Sequence, residues 1–145
     1  MVHALEKIHR LIRPAGTLID IHPSTEPPSI EIRLRDRFIA AGWLHETDDC
    51  IEYELADQAL ATVMANGLFA LERSGTFGFL VYADTLADLQ KYLAEEWKDA
   101  YIDDVTLMRA EELMSSIGHV MKSPSLGGKE VIVRETIRIA RFARK

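Results

Sequence analysis

The sequence has little of what disulfide-stabilised or membrane-spanning proteins depend on. Its single cysteine, Cys50, has no second cysteine with which to form an internal disulfide, which agrees with a reducing compartment. No apolar run approaches the roughly 20 residues that a membrane-spanning helix needs, and the N-terminal residues lack the apolar core of a signal peptide. We therefore expect a cytoplasmic protein that does not cross a membrane.

Positive charge is also scarce. The chain has 17 Lys and Arg residues against 23 Asp and Glu residues, a formal net charge of −6. General nucleic-acid binding needs a dense positive surface, so we expect no nucleic-acid partner. The length of 145 residues and the hydrophobic fraction of 48% suit one domain with its own core, and we predict a single α/β domain over residues 1–145.

Two kinds of ligand-binding motif are missing. None of the eight glycines is spaced as Gly-x-Gly, and the one Gly-Gly pair, Gly127-Gly128, lies in a segment whose Ser, Pro and Gly content predicts a surface loop over residues 119–129. A cradle of backbone N–H groups for a phosphate or cofactor therefore has no candidate. No HxH or HExxH spacing occurs either, so we predict neither a bound cofactor nor a metal site.

The first half of the chain alternates helix and strand patterns. Helical apolar spacing predicts a helix over residues 4–13, which Pro14 and Gly16 end. Residues 17–22 contain Leu18, Ile19 and Ile21, and we predict a strand there that is covered on both faces. Alternation over residues 30–34, followed by residues 37–44, predicts a β-hairpin.

The second half predicts three more helices and two long strands. The helices are expected over residues 52–66, 86–97 and 104–118, and the strands over residues 68–82, with an interruption near Ser74-Gly75, and 130–142. Glu135 shares a face with Val131 and Val133, which indicates either a bulge or a buried ion pair. This order of elements predicts an α/β sheet with helices packed on it.

The stretch from Ala4 to Ile21, ALEKIHRLIRPAGTLIDI, resembles part of the class I S-adenosylmethionine-dependent methyltransferases. In that family a helix ends in a short Arg/Lys-Pro-Gly-Gly turn and a buried strand follows at once; here Ala15 stands in place of the first glycine. The resemblance implies the C-terminal half of the fold, a partial Rossmann-like methyltransferase sheet with antiparallel C-terminal strands. The hairpin over 30–44 and the helical pair over 84–118 would then be insertions.

The resemblance also carries a functional expectation. Family members hold the methyl donor on a glycine-rich turn and an acidic residue in their N-terminal half, and this chain resembles only the other half. We expect a methyltransferase-like domain without an intact donor site, which does not transfer methyl groups independently. S-adenosylmethionine would bind only if a partner or a missing N-terminal half supplied the site. A half sheet exposes its first strand, so a homodimer or a protein partner is expected to cover that strand.

A polar cluster offers an alternative, a small metal- or acid/base-dependent enzyme. His22 is the last residue of a predicted strand, at the end where ligands bind in open α/β sheets, and Asp20 lies two residues before it. A histidine next to a carboxylate is suited to general base catalysis, and His22 with His45 would suit a divalent metal. The other members of this cluster are Glu26, Glu46, Asp48 and Asp49. The competing interpretation is that these groups only cap loops and helices.

A third hypothesis is a small-molecule binding module. Trp43 and Tyr82 are aromatic residues at predicted strand ends, and Glu26 is a polar candidate for contact with the same substrate or ligand. The competing interpretation is core packing or a subunit interface for Trp43, and a core or rim position for Tyr82.

Overall fold

The computed structural model describes residues 1–47, 51–116 and 129–145, which form four helices and a mostly antiparallel six-stranded sheet. The predicted α/β class is therefore confirmed. In chain order the elements are α1 (Val2–Leu11), β1 (Thr17–Pro23), β2 (Ser29–Leu34), β3 (Arg37–Glu46), α2 (Ile51–Ala65), β4 (Phe69–Ala83), α3 (Leu86–Glu96), β5 (Ala100–Ile102), α4 (Asp104–Ser116) and β6 (Lys129–Arg144). Within the described ranges, none of these helices has the length and apolar character to span a lipid bilayer.

Strand β6 has the most partners in the sheet. It pairs antiparallel with β1 and with β2, and it also pairs with β4. The β2–β3 hairpin is antiparallel, and β5 pairs antiparallel with the end of β3.

The chain divides into two compact units. Unit 1 contains Met1–Glu26, Cys50–Gly78 and Thr136–Lys145. Unit 2 contains Pro27–Asp49 and Phe79–Glu135. Each unit has its own hydrophobic core.

Unit 1 packs α1 and α2 against one face of its strands. The core joins helix residues such as Leu60 and Val63 to Phe69 of β4 and Phe142 of β6, and Leu18 of β1 packs against it. Each fully buried aliphatic or aromatic side chain of this kind contributes about 1.5–3 kcal/mol by leaving water. The helices of unit 1 therefore cover the face of β1 that carries Leu18.

The opposite face of β1 is open. Ile19 and Ile21 alternate with Leu18 along the strand, and their exposed fractions are 52% and 57%. Of the described strands, only β6 pairs with β1, so the other edge of β1 has no strand beside it. The expectation that β1 is covered on both faces is thus met on one face only.

Unit 2 packs α3 and α4 against the other strands. Its core combines Ile30 and Ile32 of β2, Val131 and Val133 of β6, and Leu89 of α3, all almost completely buried. Thr85 caps α3, since its hydroxyl oxygen accepts the N–H of Asp88 at 3.1 Å. Cap residues of this type stabilise a helix start by about 1 kcal/mol.

Three elements differ from the sequence-based expectation. Strand β4 runs from Phe69 to Ala83 without the interruption expected at Ser74-Gly75. Strand β5 was not predicted, because three residues are too short to show a period. The hairpin is confirmed, but its register shifts between Ile30 and Glu31, which indicates a β-bulge at Ala41 of β3. The predicted loop over residues 119–129 lies almost wholly outside the described residues.

Close approach of α4 to β3 requires the glycine at position 42. A Cβ atom at Gly42 would lie 2.1 Å from Oγ1 and 2.9 Å from Cβ of Thr106, a buried residue of α4. We predict that Gly42→Ala destabilises the protein by about 1–3 kcal/mol, because the helix or the strand has to move. Chemical denaturation measures this change. Gly75→Ala is the matched control, since nothing lies within 4 Å of a Cβ there. Equal stability of the two variants would contradict the packing described.

Candidate functional site

The strongest polar cluster of unit 1 surrounds His22. Its ring Nδ1 lies 2.8 Å from Oδ2 of Asp20, and its Nε2 lies 3.2 Å from Oδ1 of Asp57. Nη1 of Arg138 donates to the same Asp57 oxygen. The register places His22 opposite Arg138 on β6, and α2 supplies Asp57, so three elements build the cluster.

Acidic side chains surround the His22 ring. Nδ1 is hydrogen-bonded to Asp20, and Nε2 lies within ion-pair distance of Asp57. Only 12% of the His22 side chain is exposed, and both ring nitrogens face a carboxylate. The geometry therefore suits a structural ion cluster better than a general base, and the acid/base hypothesis stays a prediction.

Sequence reasoning found half of this cluster. Asp20 and His22 were expected together, and the structure pairs them. Glu26 is exposed, and its described contact is a backbone N–H donated to Oγ of Ser24 at 3.3 Å. The contributions of Asp57 and Arg138 to this cluster were not expected, because local sequence patterns do not predict contacts between residues so far apart in the chain. Asp48 and Asp49 lie outside the described residues, as does Cys50.

His45 belongs to a different arrangement in unit 2. Its Nε2 lies 2.9 Å from Oδ2 of Asp103, and its ring stacks on that of Tyr101 at 5.3 Å between centroids. Asp103 caps α4, since its Oδ1 accepts the N–H of Thr106 at 2.7 Å. The Thr106 N–H, followed by the hydrogen bond from His45, lowers the pKa of Asp103 from its usual value. The His45–Asp103 pair thus also has a structural role at a helix start.

The metal hypothesis has no ligand cluster in the described part of the chain. There, no group of three or more His, Cys, Asp or Glu side chains is arranged to hold a metal ion. His22 belongs to unit 1 and His45 to unit 2, each with its own carboxylate partners. A site shared by the two histidines stays a prediction.

Trp43 and Tyr82 lie on one face of the unit 2 sheet, together with Phe38. Trp43 pairs with Ser29, and Phe38 pairs with Arg33, so both rings stand on the face of β2 that carries Glu31. Along β4, Tyr82 alternates with residues that pack against the core of unit 2. The Arg33 guanidinium lies over the Tyr82 ring, with its Cζ 5.6 Å from the ring centroid. We call Phe38, Trp43, Tyr82, Arg33 and Arg134 the aromatic face. Phe38 and the arginines were not predicted, because the bulge that aligns them leaves no signal in the sequence.

A bidentate ion pair lies in the middle of the aromatic face. Nε and Nη2 of Arg134 each donate to a carboxylate oxygen of Glu31 at 2.9 Å. The hydrogen bond from Arg134 is the main cause of a lowered pKa for Glu31, while Glu31 raises the pKa of Arg134. Two parallel hydrogen bonds hold the guanidinium in one plane. Its carbon lies 5.2 Å from the centroid of the Phe38 ring.

The carboxylate of Glu135 lies near that of Glu46. Burial, followed by the negative charge of Glu46, raises the pKa of Glu135 above its ordinary value of 4.5. Glu46 is itself buried, with 7% of its surface exposed. The expectation of a bulge or a buried ion pair at Glu135 missed this arrangement, because Glu46 is remote in sequence.

The chain matches no protein-family model, no curated protein and no solved structure. Its geometry and its sequence patterns therefore carry the functional argument.

The His22 cluster predicts unequal costs for removing its two acids. We expect Asp57→Asn to lower the free energy of unfolding by about 1–2 kcal/mol, because the Arg138 guanidinium loses a charged acceptor and His22 loses a carboxylate neighbour. Asp20→Asn removes one such contact and should cost less. Urea denaturation compares the variants, with Asp36→Asn in the exposed hairpin turn as the control. A larger loss for Asp20→Asn than for Asp57→Asn would contradict the described contacts.

Glu135 predicts a stabilising substitution. Because the pKa of Glu135 is raised, its charged form costs free energy in the folded state; the cost is complete above the folded-state pKa and disappears below the unfolded value. We expect Glu135→Gln to raise the Tm by about 2–4 °C at neutral pH. In a domain of similar size, a gain of roughly 1 kcal/mol in the free energy of unfolding produces a shift of this size. The gain should vanish as the pH falls below the ordinary value of 4.5. Thermal scans across pH test this, with the exposed Glu95→Gln as the control; a gain that grows towards acid would contradict it.

Proposed function

We propose that this chain is a methyltransferase-like α/β subunit without a donor site of its own. In this proposal it acts as a binding module that joins a second polypeptide through β1. The second chain is a further copy of this one or a protein partner. S-adenosylmethionine binds only where that partner supplies the site.

The observation that carries this proposal is the contrast between the sequence of β1 and its surroundings. The strand carries aliphatic side chains on both faces, with Leu18 on one and Ile19 and Ile21 on the other, as a strand covered on both faces does. Ile19 and Ile21 are nevertheless more than half exposed, and no described strand pairs with the outer edge. Exposed strand edges with apolar side chains are usually covered by other protein.

The arrangement of unit 1 supports the methyltransferase-like part of the proposal. A helix, a turn at Pro14 to Gly16 and a strand follow one another as the resemblance implies. Ala15 has a φ of 61°, in the left-handed region that favours glycine, at the position where the family has its first glycine. Strands β4 and β6 pair with each other, as the two final strands of the family do.

The proposal that no donor site is present rests on backbone chemistry. A donor cradle of the family's type needs glycines that allow backbone N–H groups to approach the ligand closely. The chain has no Gly-x-Gly. Strand β1 ends in Pro23, which has no N–H to offer.

The open face of β1 predicts self-association that charged substitutions remove. We expect the purified protein to be a dimer or larger at micromolar concentration in light scattering. Ile19→Lys combined with Ile21→Lys should give a monomer with an unchanged circular dichroism spectrum, because both side chains already face water. The matched control is Val105→Lys with Met108→Lys, two exposed apolar positions on α4.

Two outcomes would contradict the proposal. A wild-type monomer at micromolar concentration would remove the association of β1 with a further copy of this chain. Stoichiometric binding of S-adenosylmethionine to the isolated chain in calorimetry would remove the claim that it has no donor site.

A further inference from the structure

Three aromatic rings are half exposed on the same side of one small sheet. Phe38 is 48% exposed, Trp43 54% and Tyr82 52%. Large apolar groups gathered on one surface commonly mark a binding site, whereas single exposed ones need no explanation. Ala40 stands between Phe38 and Trp43 on this face of β3, opposite Glu31.

The cations of the aromatic face are held in fixed positions. Glu31 holds the Arg134 guanidinium near the Phe38 ring, and Arg33 lies over Tyr82 with its Nη2 2.5 Å from Oε2 of Glu130. Nη1 of Arg134 has no partner among the described residues, so its N–H groups are available next to the exposed rings. A donor whose position is already fixed loses little entropy when it binds a ligand.

The charges of this face select an uncharged ligand. Two arginines are balanced by two glutamates, Glu31 and Glu130, each within an ion pair. The chain as a whole carries a net charge of −6, which disfavours a polyanion. The complementary ligand is therefore neutral, flat and able to accept a hydrogen bond from Arg134.

We propose that the aromatic face binds the planar heteroaromatic ring of a free nucleoside. The exposed Trp43 ring supplies the stacking surface, and Nη1 of Arg134 donates to an acceptor on the edge of the base. Base–aromatic stacking tolerates different bases because every base has a π face. This binding site lies within unit 2 and is independent of the association through β1.

Fluorescence of Trp43 tests the binding directly. The chain has two tryptophans, and Trp97 packs against the core of unit 2, so Trp97→Phe leaves Trp43 as the single reporter. Titration of this variant with adenosine and with uridine should quench the fluorescence with saturation. AMP should bind no more tightly than adenosine, and binding should change little between low and high salt, because the face carries no net charge.

Two further substitutions test whether the quenching of Trp43 fluorescence reports binding at the aromatic face. In the Trp97→Phe background, Phe38→Ala and Arg134→Ala should each weaken adenosine binding about 5- to 100-fold, the range expected when one stacking or donor contact is lost. Phe38→Ala changes a half-exposed ring, so it keeps the test valid if Arg134→Ala does not fold. Phe77→Ala, an equally exposed ring of unit 1, should leave the affinity unchanged.

Three outcomes would overturn the proposal. The first is the absence of saturable quenching by either nucleoside up to about 10 mM, beyond the range of weak specific binding. The second is unchanged affinity in Phe38→Ala. The third is tighter, strongly salt-dependent binding of a single-stranded oligonucleotide, which would assign the face to a polyanion instead.

Discussion

The antiparallel pairing of β1 with β6 determines which side chains of unit 1 are covered. The register places Leu18 and Phe142 on the face that α1 and α2 cover, and it places Ile19 and Ile21 on the other face. A shift of one residue would exchange the two faces completely. The buried core, the His22 cluster and the open surface of β1 therefore all follow from one set of backbone hydrogen bonds.

Unit 2 depends on its strand register in the same way. One extra residue in β3 allows Trp43 to share a face with Phe38, while Leu44 stays in the core. The arginines and glutamates of β2 and β6 then form ion pairs between the rings. These partly exposed pairs contribute little stability, but they fix the positions of donors on an otherwise apolar surface.

Local patterns predicted most of the fold, and long-range contacts account for what they missed. Alternation predicted the hairpin, and helical spacing predicted α3. The bulge and the short strand β5 depend on packing against remote residues, which leaves no local period. Among the candidate site residues, neighbours in sequence such as Asp20 and His22 were paired correctly. Partners such as Asp57 and Asp103 required the fold.

The most direct experiment asks whether a second copy of this chain covers β1. Hydrogen–deuterium exchange of the β1 amides, measured from low to high protein concentration, tests it most directly because exchange reports protection residue by residue. The account predicts that exchange in Thr17–Pro23 slows as concentration rises, while exchange in α3 does not change. Exchange of β1 that is the same at every concentration, at the rate of an open strand edge, would contradict it.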